Sequence, residues 1–131
     1  MGHAALADFS RFGKSFQEGL TQLILQDRPF ADQICEVLDI NYFELKYLQV
    51  FVEKIIKYKD KYNVHPSLKT MTTILRTELE DYNDATQKQV RDYFARIYTE
   101  EETDGAEYIK STALDFCRKQ NLKGAMIKCV P

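Results

Sequence analysis

There is no tryptophan in this sequence, and glycine (5) and proline (3) are scarce in a chain of 131 residues. So few turn-formers argue against a sandwich or barrel and for long helices. The three cysteines, Cys35, Cys117 and Cys129, are an odd number without paired spacing. No disulfide framework is expected, and the thiols read as free and cytoplasmic. No run of eighteen apolar residues is present, so no membrane span is expected. The opening from Met1 to Leu6 has neither the basic start nor the apolar run of a signal peptide. Met1-Gly2-His3 reads as an expression scar. Nor is there an excess of positive charge: the net charge is −2 and the pI about 5.7, unlike a domain built mainly to grip nucleic acid.

What the chain does have is 44% hydrophobic residues, including eight Tyr and eight Phe, enough for one sizeable core. The apolar period is helical throughout. Phe16, Leu20, Leu23 and Ile24 predict a first helix over about 15–26, with Ser15 as its cap. Pro29 suits the first turn of a short second helix carrying Phe30, Ile34, Val37 and Leu38. Asn41 is the expected cap of a long third helix with the stripe Leu45, Leu48, Phe51, Val52, Ile55 and Ile56. Lys54, Lys57, Lys59 and Lys61 in its later turns suit the negative end of its dipole. Ser67 reads as the cap of a fourth helix and Asp84 of a fifth, the latter carrying Val90, Tyr93, Phe94 and Ile97. A last helix is expected over about 104–128. Its thin stripe of Tyr108, Ile109, Ala113, Phe116, Leu122 and Met126 fits packing against one partner helix. The predicted fold is all-α: an N-terminal tail over 1–14, a compact head of about five helices over 15–103, and a long C-terminal helix over 104–131.

Charge is distributed in blocks. Residues 1–43 carry −3, residues 44–76 +4, residues 77–107 −7 and residues 108–131 +4. Alternating solvated faces explain this simply, and complementary patches for assembly are the sharper reading.

The motifs that could carry chemistry fall away on inspection. Gly13-Lys14-Ser15 resembles the end of a P-loop, but Asp8 stands where the first glycine belongs and no apolar strand precedes it. His65 is the one internal histidine, and the cysteines lie too far apart in sequence for a zinc site. Glu100-Glu101-Glu102 with Asp104 reads as acidic residues before a helix start rather than a cation site. Tyr42-Phe43 and Tyr93-Phe94 sit at core spacing, not as stacking platforms for bases. No nucleophile–base pair is evident, so no catalytic, cofactor-binding or metal residue is assigned.

The order of elements resembles a known family. The run from Phe16 to Asp27, then Phe30 to Ile34, Val37-Leu38 and Asn41-Tyr42-Phe43-Glu44, is similar to the opening of DnaB-type hexameric replicative DNA helicases, especially phage-encoded ones. Tyr58 to Leu68 looks like the loop after the family's longest head helix. Glu107 to Ala125 resembles the first arm of its helical hairpin. The resemblance covers about Phe16 to Lys128. It implies a non-catalytic N-terminal collar domain that dimerises, assembles as a trimer of dimers, and binds primase and possibly a helicase loader. The second arm and the motor domain have no counterpart here, so ATP, magnesium and most DNA contacts are expected only in a motor domain beyond this chain. Other readings from the sequence are a primase-type helicase-binding adaptor and a helical nucleic-acid-binding module using the third helix's lysines. Tyr108, Ile109, Ala113, Phe116, Leu122 and Met126 form the expected self-association or partner surface.

The purified chain is expected to hydrolyse no ATP in a phosphate-release assay. Turnover that disappears on Lys14→Ala would restore the P-loop reading.

Overall fold

The computed structural model describes residues 8–100 and 102–129, with side chains described as far as Leu122. Every regular element among these residues is helical: α1 (Gly13–Gln26), α2 (Arg28–Ile34), α3 (Lys46–Tyr62), α4 (Leu68–Thr77), α5 (Asp84–Tyr98) and α6 (Ala106–Cys129), with 3-10 turns at Phe9–Phe12 and Ile40–Tyr42. No helix among the described residues is long and apolar enough to cross a membrane.

The caps match the sequence at some helix starts and shift at others. Ser67 accepts the Thr70 amide (3.1 Å), as its position before Leu68 predicts. The cap of α5 is Asn83, not Asp84: its Oδ1 accepts the Thr86 amide at 2.8 Å, which makes Asp84 the first helical residue. Asn41 does not cap α3. Asp39 accepts its amide and closes the Ile40–Tyr42 turn, so α3 begins only at Lys46. Ser15 does not cap α1 either. The Phe9–Phe12 turn runs straight into the helix through Gly13, whose φ of 88° is the left-handed corner that joins them. At its other end α3 stops at Asn63 (φ 57°), whose amide donates to the Lys59 carbonyl at 2.8 Å.

From Asp8 onward the segment expected to be a tail belongs to the head. Phe9 is completely buried and packs against Phe16, Phe43 and Phe116 with ring centroids 6.1, 5.1 and 5.0 Å away. Its turn is fixed by Asp8, which accepts from the Ser10 amide.

Side-chain contacts give the direction of each helix. Gln17 meets Glu44, Glu18 meets Tyr47, and the Leu25 carbonyl meets His65, so α1 and α3 run the same way. Glu18 meets Tyr93 and Arg96, and Gln26 meets the Ile97 and Glu100 carbonyls, so α5 runs the same way as α1. The C-terminal ends of α1, α3 and α5 therefore gather at one end of the head. α6 crosses α1 the other way, with Ile109 against Gly19 and Phe116 against Phe12. A Cβ on Gly19 would come within 2.9 Å of Ile109 Cδ1 and 3.2 Å of Thr103 Cγ2, so glycine sets how closely α6 approaches.

The core holds all four central residues of the predicted α3 stripe: Leu48, Phe51, Val52 and Ile55 are fully buried. Phe51 sits edge-on to Tyr93 at 5.3 Å. Truncating it removes a buried ring between two helices. Phe51→Ala should lower unfolding free energy by about 3–5 kcal/mol in denaturant titration. A loss below roughly 1 kcal/mol would mean that this face of α3 does not carry the core.

Candidate partner surface

The six residues expected to form a partner surface are divided by the way α6 packs. Ile109, Ala113 and Phe116 point into this chain's own head and are buried, together with Cys117. Tyr108 and Leu122 remain outside, 66% and 63% exposed. Met126 lies outside the described side chains. The stripe is thus not one continuous outward face. The physical reason is that α6 is covered by α1 and by the Phe9–Phe12 turn, which is too short to show an apolar period in the sequence. Phe116 alone touches Phe9, Phe12 and Tyr42, with centroids at 5.0, 6.0 and 5.3 Å.

Polar contacts fix the same docking. Lys110 Nζ lies 3.0 Å from Asp27 and 2.9 Å from Glu107. The Asn121 side-chain amide donates to the Val37 carbonyl (2.6 Å) and to the Cys117 carbonyl (2.9 Å). Burial pushes the Cys117 thiol up to about 12 and the Cys35 thiol up to about 11, so both stay protonated at neutral pH. They are packing residues, as their apolar faces predict.

The aromatic pairs considered as stacking platforms are inside. Phe43 and Tyr93 are fully buried and Phe94 nearly so, while Tyr42 lies edge-on to Phe9 and Phe116. The α3 lysines do not form one row. Lys59 pairs with Asp32 at 2.6 Å, Lys54 faces the Tyr82 ring, and Lys61 lies over Tyr62. Lys14 and Ser15 are exposed at the start of α1.

Two polar clusters escaped the sequence reading. In the first, Glu18 of α1 accepts two parallel hydrogen bonds from Arg96 of α5, each 3.0 Å, and another from the Tyr47 hydroxyl of α3. Burial works to raise the Glu18 carboxyl. The Arg96 and Tyr47 hydrogen bonds, with the Arg96 and Lys14 charges, outweigh it and hold the group below its ordinary range. Burial, then the Glu18 contact, pushes the Tyr47 hydroxyl up. This cluster walls one side of a groove of about 440 Å³ between α1, α5 and the start of α6. Thr103 Oγ1 borders the same groove and has no hydrogen-bond partner among the described residues. In the second cluster His65 Nε2 lies 2.6 Å from the Leu25 carbonyl and Nδ1 lies 3.5 Å from Lys59 Nζ. That geometry requires the neutral ring with its proton on Nε2. Burial, aided by the Lys59 charge, lowers the His65 pKa against the opposing pull of the Leu25 carbonyl and Asp32. No sequence signal marks either cluster, because their members are spread over separate helices.

Comparison with protein-family models, with curated proteins and with solved structures finds no match to this chain.

Because the folded His65 titrates below the unfolded value of 6.5, its contribution to stability is complete above that pH and is lost as pH falls. The melting temperature should drop between pH 7 and pH 5, and His65→Gln should flatten that drop. Equal slopes for the two proteins would show that His65 is not the titrating group.

Proposed function

We propose that this chain is a non-catalytic helical interaction module, the N-terminal collar domain of a DnaB-type replicative DNA helicase, without chemistry of its own.

 The reading gives the chain two roles, pairing with copies of itself and binding primase, while the parent protein would supply ATP-driven unwinding from a separate motor domain. The observation that carries it is the course of α6. Its buried stripe runs from Ile109 to Cys117, but the helix continues to Cys129. Past Cys117, Arg118, Lys119, Asn121 and Leu122 are all exposed. A hairpin arm would need a helix that reaches past a compact head of five helices, and the exposed Arg118, Lys119 and Leu122 fit that need. Tyr108 and Leu122 then supply apolar area for a neighbouring helix or subunit. The order of the five preceding helices supports the same reading, since it keeps the order of segments on which the resemblance to a phage-type helicase head rests.

The coding sequence downstream tests the assignment directly. Continuation into a second long helix and then a P-loop is the expected result, and a stop codon directly after this segment would favour the primase-type adaptor. The surface has its own test. Tyr108→Asp combined with Leu122→Asp should lower the weight-average mass in sedimentation at high micromolar concentration, with the melting temperature little changed. An unchanged mass would remove α6 from the contact. Phe116→Asp is unsuited to this purpose, because Phe116 is buried within the chain's own head.

A further inference from the structure

The groove of about 440 Å³ between α1, α5 and the start of α6 already holds one guanidinium. Arg96 of α5 places its Cζ 5.4 Å from the centre of the Tyr93 ring and gives two hydrogen bonds to the Glu18 carboxylate. An aromatic face and a carboxylate are the surfaces that suit a guanidinium, the first through its delocalised charge and the second through its fork of donors. The same groove offers both kinds of group a second time. Tyr108 lines it from α6 and is largely exposed, and Glu100 and Asp104 line it from the turn between α5 and α6. Neither of these two acids forms an ion pair with a cation among the described residues. Thr103, in the same turn, also lines the groove, and its Oγ1 is the one buried side-chain polar atom among the described residues without a hydrogen-bond partner. Arg96 is engaged by Glu18, and Lys14, at the start of α1, also acts on Glu18. The lining thus carries three carboxylates and one guanidinium.

We propose that this groove receives an arginine side chain of a partner protein, its guanidinium against the Tyr108 ring and its donors directed to Glu100, Asp104 and the Thr103 hydroxyl. Charge decides the sign of the occupant, since the unpaired groups are all acceptors. A nucleic-acid strand would be repelled by the same carboxylates. Arginine is favoured over lysine because only a planar, forked cation can stack on the ring and bond the acids at once, as Arg96 does with Tyr93 and Glu18. The groove is open to solvent, so it suits a side chain carried in by a larger molecule better than a free ligand, which a pocket must enclose. The turn that bears the acids is fixed in advance. Gln26 donates to the Glu100 carbonyl at 2.8 Å, and the Gly105 carbonyl accepts the Ile109 amide at 3.0 Å. A turn held in place loses little freedom when a partner arrives. The inference rests on the lining residues alone and holds whether or not the helicase reading does.

The test is a titration of the isotopically labelled full chain, followed by amide NMR shifts, with a capped tripeptide that has arginine at its centre. Saturable shifts are expected at the amides of Gly19, Thr103, Gly105 and Tyr108. The same tripeptide with lysine should bind about fivefold or more weakly, because it cannot both stack and fork. Glu100→Gln with Asp104→Asn should weaken the arginine peptide by about tenfold, and Tyr108→Leu by about threefold. Glu78→Gln with Glu80→Gln, which alters exposed acids that do not line the groove, should leave binding unchanged. Circular dichroism melts report that the variants are folded, which is expected since every substituted residue is exposed. Shifts that do not saturate, shifts spread over acids outside the groove, or an arginine affinity untouched by the Glu100 and Asp104 changes would each overturn the proposal. So would equal binding of the lysine peptide or of spermidine, since the groove would then be a general cation surface.

Discussion

The head depends on α1 having no solvent side. From Phe16 to Gln26 no residue of this helix is exposed, although five of the eleven are polar or charged. A buried polar group without a partner costs roughly 1–3 kcal/mol, so such a helix is stable only if its neighbours answer each one. Gln17 accepts the Glu44 amide at 2.9 Å, Thr21 donates to the Gln17 carbonyl, and Glu18 takes Arg96 and Tyr47. Gln26 donates to the Glu100 carbonyl at 2.8 Å. The partners come from the turn before α3, from α3 itself and from α5 and its following turn. Satisfying α1 therefore positions three other parts of the chain.

The same requirement explains the unusual directions of the helices. Glu18 can meet Tyr47 and Arg96 together only if α3 and α5 present those residues at one level beside it. Sharing of one carboxylate fixes that level, and the aromatic contacts of Tyr93 and Phe51 maintain the spacing on either side. α6 then closes the remaining side of α1, admitted by Gly19 and held by Lys110 on Asp27.

Much of this was legible in the sequence and some was not, for identifiable reasons. Helices announced themselves by apolar period, and Leu48, Phe51, Val52 and Ile55 are in the core because a 3.6-residue repeat admits only one such face. The polar residues of α1 gave no such signal. Gln17, Thr21 and Gln22 look like a solvated face when read along the chain, and only partners far away in sequence make them internal. Phe9 and Phe12 were lost for a related reason: a short 3-10 turn has too few residues to show a period. That omission also affected α6, whose Phe116 reads as available for another molecule until Phe9 and Phe12 are placed over it. The division of the α6 stripe into Ile109, Ala113 and Phe116 inside and Tyr108 and Leu122 outside was thus not legible.

The contact between Phe9 and Phe116 has a consequence for how the protein comes into being. The two rings touch although more than a hundred residues separate them along the chain. During synthesis at about 5–20 residues per second, Phe9 emerges many seconds before its partner exists. The earlier helices can form locally in that interval, but the aromatic cluster over α1 stays open to solvent, and to chaperones, until α6 arrives. Completion of the core in this sense waits on the synthesis of α6.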